Sequence, residues 1–403
     1  VAKIEIGKET SLGLTSSQMA WIDGAFLTYY ALGQFVWGVC GDRFGARKVI
    51  LGGLLGSIIA AAAMGATSSA FLMGFFFCLQ GLCQSTGWAP LTKNIGCFFS
   101  QKERGTILGL WCTNYAVGGL FASVYAAYFG ALWGWRFAFF IPAATLFGIW
   151  LIFYFFQRDC PEDVGLPPIE QYKGEMPAPS PTESEFGEVA SKREEEKHGS
   201  WSAVLEVLRN PMVLLLAAVY FFMKPIRYAL LFWGPKYVSE KLGTGMIQSG
   251  ALSALFELAG PLSVFLAGWI SDKWFGAKRN PVSVICLFAL AVLLFAMDKL
   301  PASKWMLGSM LFLIGLVMFA PDSLVSGTAA VDFGTKRGAS TAAGLINGSG
   351  SVGAILGGTI PGFFHEKWGW GGVFTALAIS VFLAGLLLLP KWHALPESSN
   401  TTK

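Results

Sequence analysis

The sequence predicts an all-α polytopic membrane protein, and three observations carry that reading. Only 13% of the 403 residues are Asp, Glu, Lys or Arg, about half the share of an ordinary soluble domain. Hydrophobic residues make up 54% of the chain, and 49 positions are glycine. The apolar residues are gathered into runs which, at about 1.5 Å per helical residue, are long enough to cross ~30 Å of hydrocarbon. In lipid the backbone must satisfy its own hydrogen bonds, and runs of this length are helix-spanning rather than strand-sized.

Taken in order, the apolar runs lie at about 16–40, 49–67, 70–98, 105–131 and 136–156. A polar stretch follows at 157–209, containing Pro177-Ala178-Pro179-Ser180-Pro181 and the charged run Lys192-Arg193-Glu194-Glu195-Glu196-Lys197. It reads as a solvated cytoplasmic linker. Six more runs lie at about 211–236, 245–271, 281–298, 304–331, 338–363 and 370–390. The expected organisation is an N-terminal helical half at 1–156, the linker at 157–209, a C-terminal half at 210–391 and a tail at 392–403, with eleven helices visible.

Net charge is +4, and the basic residues are dispersed among loops, which argues against a nucleic-acid partner. The seven cysteines occur singly, and the three histidines lie in loops or at helix ends, so neither a disulfide framework nor a metal set is expected. With no nucleophile and base, metal set or nucleotide loop, the chain reads as neither an enzyme nor a cofactor binder. Lysine and arginine in the short loops favour a cytoplasmic side holding Arg43, Arg47, Lys48, Lys102, Arg104, Lys273, Lys278, Arg279, Lys336 and Arg337, which puts the linker and C-terminus inside.

The strongest internal signal is a repeated loop. Gly38-x-x-x-Asp42-Arg43-x-Gly45-x-Arg47-Lys48 follows the first visible helix, and Gly268-x-x-x-Asp272-Lys273-x-x-Gly276-x-Lys278-Arg279 follows the seventh. Glycine permits close helix approach, the aspartate can accept from a neighbouring helix N-terminus, and the basic residues suit cytoplasmic headgroups. Because the loop follows the second helix of one half but the first visible helix of the other, a further helix is expected before Val1. The architecture expected of such a duplication is two six-helix halves with a site near the midplane.

Several motifs carry a resemblance to a known family. The repeated loop is similar to the signature loop of major facilitator transporters. Gly87-Trp88-Ala89-Pro90 with Lys93 and Ser100-Gln101-Lys102-Glu103-Arg104-Gly105, the linker start Gly165-Leu166-Pro167-Pro168-Ile169-Glu170-Gln171-Tyr172-Lys173, Arg227-Tyr228 with Trp233 and Pro235, Phe256-Glu257-Leu258-Ala259-Gly260 and Thr341-Ala342-Ala343-Gly344 narrow the branch. Together they resemble the organophosphate:phosphate antiporters, which include bacterial glycerol-3-phosphate and hexose-phosphate transporters and animal glucose-6-phosphate translocases. Tyr115, Gln34 and Lys224 stand where the glycerol-3-phosphate carriers have histidine, lysine and tyrosine, so the resemblance leaves the ester open. It implies exchange of a phosphorylated anion for inorganic phosphate in a plasma (bacterial inner) membrane, by a monomer, with a further arginine on the first helix. One branch of the family implies instead a sugar-phosphate sensor signalling to a partner, and a proton-coupled symporter of another organic anion is a third reading.

Buried anion binding needs cations, because an uncompensated dianion in low dielectric is prohibitively costly. Lys224 and Arg227, three apart, share one face of their helix, with Pro225 between them to loosen it. Arg offers a planar fork for two phosphate oxygens, and Lys a mobile point charge. Glu257 reads as gate, partner or counter-charge, or as a fixed bridge to Arg227. Asp322 reads as solvated at a water-filled cytoplasmic cavity ahead of a binding role, and Lys93 as snorkelling to the interface or guiding anions inward. Tyr29, Tyr30, Trp88, Tyr115, Trp233 and Asn347 are candidate hydrogen-bonding or stacking groups, or else helix packing. Asp42, Arg43, Gly45, Arg47, Asp272, Lys273 and Arg104 are expected to form conformational loops. The series Gly344, Gly348, Gly350, Gly353, Gly357 and Gly358 reads as close helix packing.

Overall fold

Backbone groups inside an apolar run can be satisfied only within the run, and among the described residues every long element is accordingly a helix. A computed structural model describes residues 16–174, 201–244, 246–276, 278–333 and 335–394. In chain order the helices are α1 (Ser16–Phe44), α2 (Ala46–Ala66), α3 (Ala70–Gln84), α4 (Ala89–Phe98), α5 (Gln101–Trp133), α6 (Phe137–Phe156), α7 (Ile169–Tyr172), α8 (Trp201–Arg209), α9 (Pro211–Leu242), α10 (Met246–Lys273), α11 (Arg279–Met297), α12 (Lys304–Ser323), α13 (Ala329–Phe333) and α14 (Thr335–Leu388). All eleven expected runs are helical, and among the described residues eight helical spans are long and apolar enough to cross a membrane.

Local chemistry sets the breaks. The run expected at 70–98 is interrupted by a 3₁₀ turn, Ser85–Gly87, before α4 restarts at Ala89-Pro90, where proline, which brings no N–H, takes a first-turn position. At the start of α9, the Asn210 side chain accepts from the Met212 and Val213 amides, Pro211 takes the first position, and Gly243 closes the far end with φ 62°. A π-helical turn, Leu324–Thr328, separates α12 from α13 just after Pro321. Within α14, Gly369 (φ 64°, ψ −167°) makes the break that sequence places near 364–369.

Among the described residues of the expected linker, the helical pieces are a 3₁₀ turn at Pro161–Val164, α7 and α8. Val204 and Val207 of α8 are buried while Trp201 is exposed, and the charged run 192–197 lies outside the described residues.

By proximity the chain forms two compact units. The first takes the described parts of Val1–Phe98, Val117–Leu208 and Lys336–Gly348, and the second those of Phe99–Ala116, Arg209–Thr335 and Ser349–Lys403. In the first, Gly348 seats the ring of Phe35. In the second, Gly353 and Gly357 lie against the backbone of Phe221 and Pro225, so the glycine series of α14 does serve close packing.

Candidate functional site

The second unit holds a buried charge cluster. Lys224 and Arg227 lie on one face of α9, 9% and 7% exposed. Arg227 Nη2 meets Glu257 Oε2 of α10 at 3.5 Å, and Nη1 meets Asp322 Oδ2 at the end of α12 at 3.2 Å. The Phe319 ring lies 4.6 Å from the guanidinium carbon. Lys224 Nζ lies 3.5 Å from Ser351 Oγ and 4.8 Å from the Tyr220 ring centroid.

Asp322 overturns its expected reading. It is 7% exposed rather than solvated, and Tyr220 Oη donates to its Oδ1 at 2.8 Å. The carboxylate is drawn inward because an arginine and a phenol await it, and a buried charge persists only where so paired. Arg227 thus faces two carboxylates, with Lys224 one turn earlier on the same face of α9. Glu257 is less firmly held: its Oε1 is buried with no hydrogen-bond partner.

The remaining candidates are dispersed. Tyr29, in the first unit, is 44% exposed. Asn347, also in the first unit, is buried and donates to Ala343 O of its own helix at 3.0 Å. Tyr115 lies on α5, and its side chain is outside the described residues. Trp233 donates to Gly358 O at 3.0 Å, a helix-packing contact.

The two copies of the repeated loop build two aspartate caps. In the first unit, fully buried Asp42 accepts from the amides of Ser340 (3.2 Å) and Thr341 (2.6 Å) in the second turn of α14. Lys93 Nζ meets Asp42 Oδ1 at 2.7 Å, so Lys93 does not snorkel but completes the cap. In the second unit, Asp272 Oδ2 accepts from Thr106 N and Oγ1, both at 2.8 Å, in the second turn of α5. The expected aspartate-to-helix bond is present in both.

Arg279 departs from its expected headgroup position. It is 2% exposed, pairs with Asp272, and donates from Nε to Asp332 Oδ2 at 3.1 Å. Arg104 Nη1 reaches the other Asp332 oxygen at 3.0 Å. Asp332, Tyr220 and Thr106 are absent from the sequence-level candidates.

The other loop residues stay near the surface. Arg43 lies over the Trp201 ring at 4.6 Å, and Lys273 over Trp269 at 4.9 Å. Gly45 turns the chain with φ 88° beside Asp159, whose Oδ1 accepts from Arg47 N at 2.6 Å. The Arg47 guanidinium donates to Tyr154 O at 2.5 Å.

Comparison with known proteins matches this arrangement to a family. The pattern of the Major Facilitator Superfamily covers residues 5–343. The chain is 31% identical over 398 residues to a probable hexose phosphate transport protein of Chlamydia pneumoniae, covering 97% of this chain and 86% of that protein. It is 28% identical to the membrane sensor protein UhpC of Salmonella typhimurium, covering 94% and 84%. In fold it is similar to the proton:xylose symporter XylE (TM-score 0.71, 13% identity, 94% of this chain and 87% of that one). The chain is therefore an integral multi-pass membrane protein of the Major Facilitator Superfamily, in its organophosphate transporter branch.

Proposed function

We propose that the chain is a secondary transporter that exchanges a phosphorylated organic anion, of the sugar-phosphate or glycerol-3-phosphate type, for inorganic phosphate by alternating access. The observation that carries this is the buried Lys224–Arg227 pair on one face of α9, matched by Glu257 and Asp322. The name of the Chlamydia relative supports the same cargo.

Both η nitrogens of Arg227 face carboxylates, so a phosphate reaches the guanidinium by replacing one of them. Glu257 is the one that yields. Its contact is longer, its side chain is 29% exposed against 10% for Asp322, and no phenol holds it. Asp322, fixed by Tyr220, keeps the arginine fork aimed. Occupancy thereby changes the pairing of α9 with α10, and such a change can gate conformational exchange.

Tyr115, Tyr29 and Asn347 are proposed as further substrate contacts, and Asp42, Arg43, Gly45, Arg47, Asp272, Lys273 and Arg104 as gating elements. The chain would act as a monomer in the plasma (bacterial inner) membrane with its C-terminus in the cytoplasm. Exchange of Arg227 for Lys should nearly abolish phosphate binding, because the ammonium cannot present two parallel donors. Binding of labelled phosphate to protein in proteoliposomes measures this, and an unaltered affinity would sink the assignment.

The likeness to the Salmonella sensor favours a second reading, a membrane receptor of sugar phosphates. Counterflow of labelled phosphate separates the two: a transporter exchanges it, whereas a sensor binds ligand without flux.

A further inference from the structure

We propose that Ser253 and Glu257 of α10 form a hydroxyl-binding subsite beside Arg227, one that recognises the polyol part of a phosphate ester. The inference rests on the phosphate reading above and adds to it the means of telling an ester from inorganic phosphate.

Two buried polar atoms on one face of α10 lack partners: Glu257 Oε1 and, one turn earlier, Ser253 Oγ. A serine inside a helix ordinarily returns its hydrogen bond to its own backbone. Ser326 does so to Asp322 O at 2.6 Å, and Ser283 to Arg279 O at 3.0 Å. Ser253 does not. Burying a hydroxyl and a carboxylate oxygen without partners is unfavourable, so a pair of them marks a place where a ligand supplies the missing bonds.

The register of α9 against α10 gives the subsite its direction. Arg227 meets Glu257, and two turns further along α9 Gly234 meets Ser253, where a Cβ would stand 3.5 Å from Ser253 Oγ. Position 234 therefore presents only backbone to the hydroxyl. From Glu257 to Ser253 the rise along the helix is about 6 Å, a span that a polyol chain covers when its phosphate rests on Arg227.

The donor and acceptor types fit hydroxyl groups. A carboxylate oxygen accepts only, and a serine hydroxyl both donates and accepts, as neighbouring alcohol groups require. Inorganic phosphate has no part that reaches Ser253.

The test compares ligands that share a phosphate and differ in hydroxyls. Binding of inorganic phosphate, glycerol-3-phosphate, glucose-6-phosphate and hydroxyl-free propyl phosphate is measured on wild type, Ser253→Ala and Ser253→Thr in proteoliposomes. Wild type should prefer at least one polyol ester over propyl phosphate. Ser253→Ala should shrink that ratio about tenfold, the worth of one hydrogen bond to a site built for it, and Ser253→Thr, which keeps the hydroxyl, should restore most of it. A ratio unmoved by Ser253→Ala overturns the subsite and leaves the hydroxyl a water ligand only. Failure of wild type to bind any of the four ligands overturns the phosphate reading itself, and the subsite with it.

Discussion

The two aspartate caps begin from the same local pattern and end in different electrostatics. Asp42 holds two backbone amides and one lysine, Lys93, whose side chain keeps 14% exposure. Asp272 holds a threonine amide and hydroxyl and a nearly inaccessible arginine, which passes on through Asp332 to Arg104. The first cap is a pair and the second a chain of four charges. The difference teaches that the Gly-x-x-x-Asp spacing specifies the helix contact, while the counter-charge is recruited from whichever neighbouring helix offers one. The planar guanidinium of Arg279 can serve two carboxylates, which the ammonium of Lys93 does less well.

The largest expected effect comes from breaking the longer chain. Asp332→Ala leaves Arg104 and Arg279 without their shared carboxylate, whose own side chain is fully buried, and should cost about 3–5 kcal/mol. Lys93→Ala should cost only about 1–2 kcal/mol, because Asp42 keeps its two amide donors and partial hydration replaces the ammonium. Thermal unfolding of the detergent-solubilised protein compares them, and equal losses would show that the two caps are energetically alike after all.

A middle-sized effect tests what the caps have in common. A Cβ at Gly38 would lie 2.8 Å from Ser340 O and 2.9 Å from Gly344 Cα, and one at Gly268 would lie 2.8 Å from the Gly105 carbonyl carbon. Gly38→Ala and Gly268→Ala should therefore each destabilise by about 1–3 kcal/mol, similarly in the two copies; a loss in one alone would break the equivalence. The smallest effect is expected at Lys273→Ala, which removes an exposed cation over Trp269 and should change stability by no more than about 0.5 kcal/mol.

Much of the fold could be read from the chain because helix spans and glycine contacts are written locally. The runs at 211–236 and 281–298 are continuous and apolar, and α9 and α11 form there. The break in the 70–98 run at Ala89-Pro90 was also encoded locally, although hydropathy averaged over it. The partners of buried charges are not local. Asp332 pairs with residues 53 and 228 positions away, and its surroundings, Val331 and Phe333, carry no sign of either. Asp322 reads as solvated in the sequence for the same reason: the bond that buries it comes from Tyr220, 102 positions earlier. Lys224, Arg227 and Glu257 were legible as a group because intramembrane charge is rare enough to be conspicuous.

The glycine contacts have a mechanical consequence. Where Gly268 meets Gly105 and Gly38 meets Gly344, main chain touches main chain, and no rotamer lies between to absorb a displacement. Dispersion attraction falls steeply over the first ångström of separation, and an amide-to-carboxylate bond weakens over a similar range. Such a contact has little elasticity: it behaves as a detent, seated or released, so any motion passing through these helices would proceed in a step rather than as gradual bending.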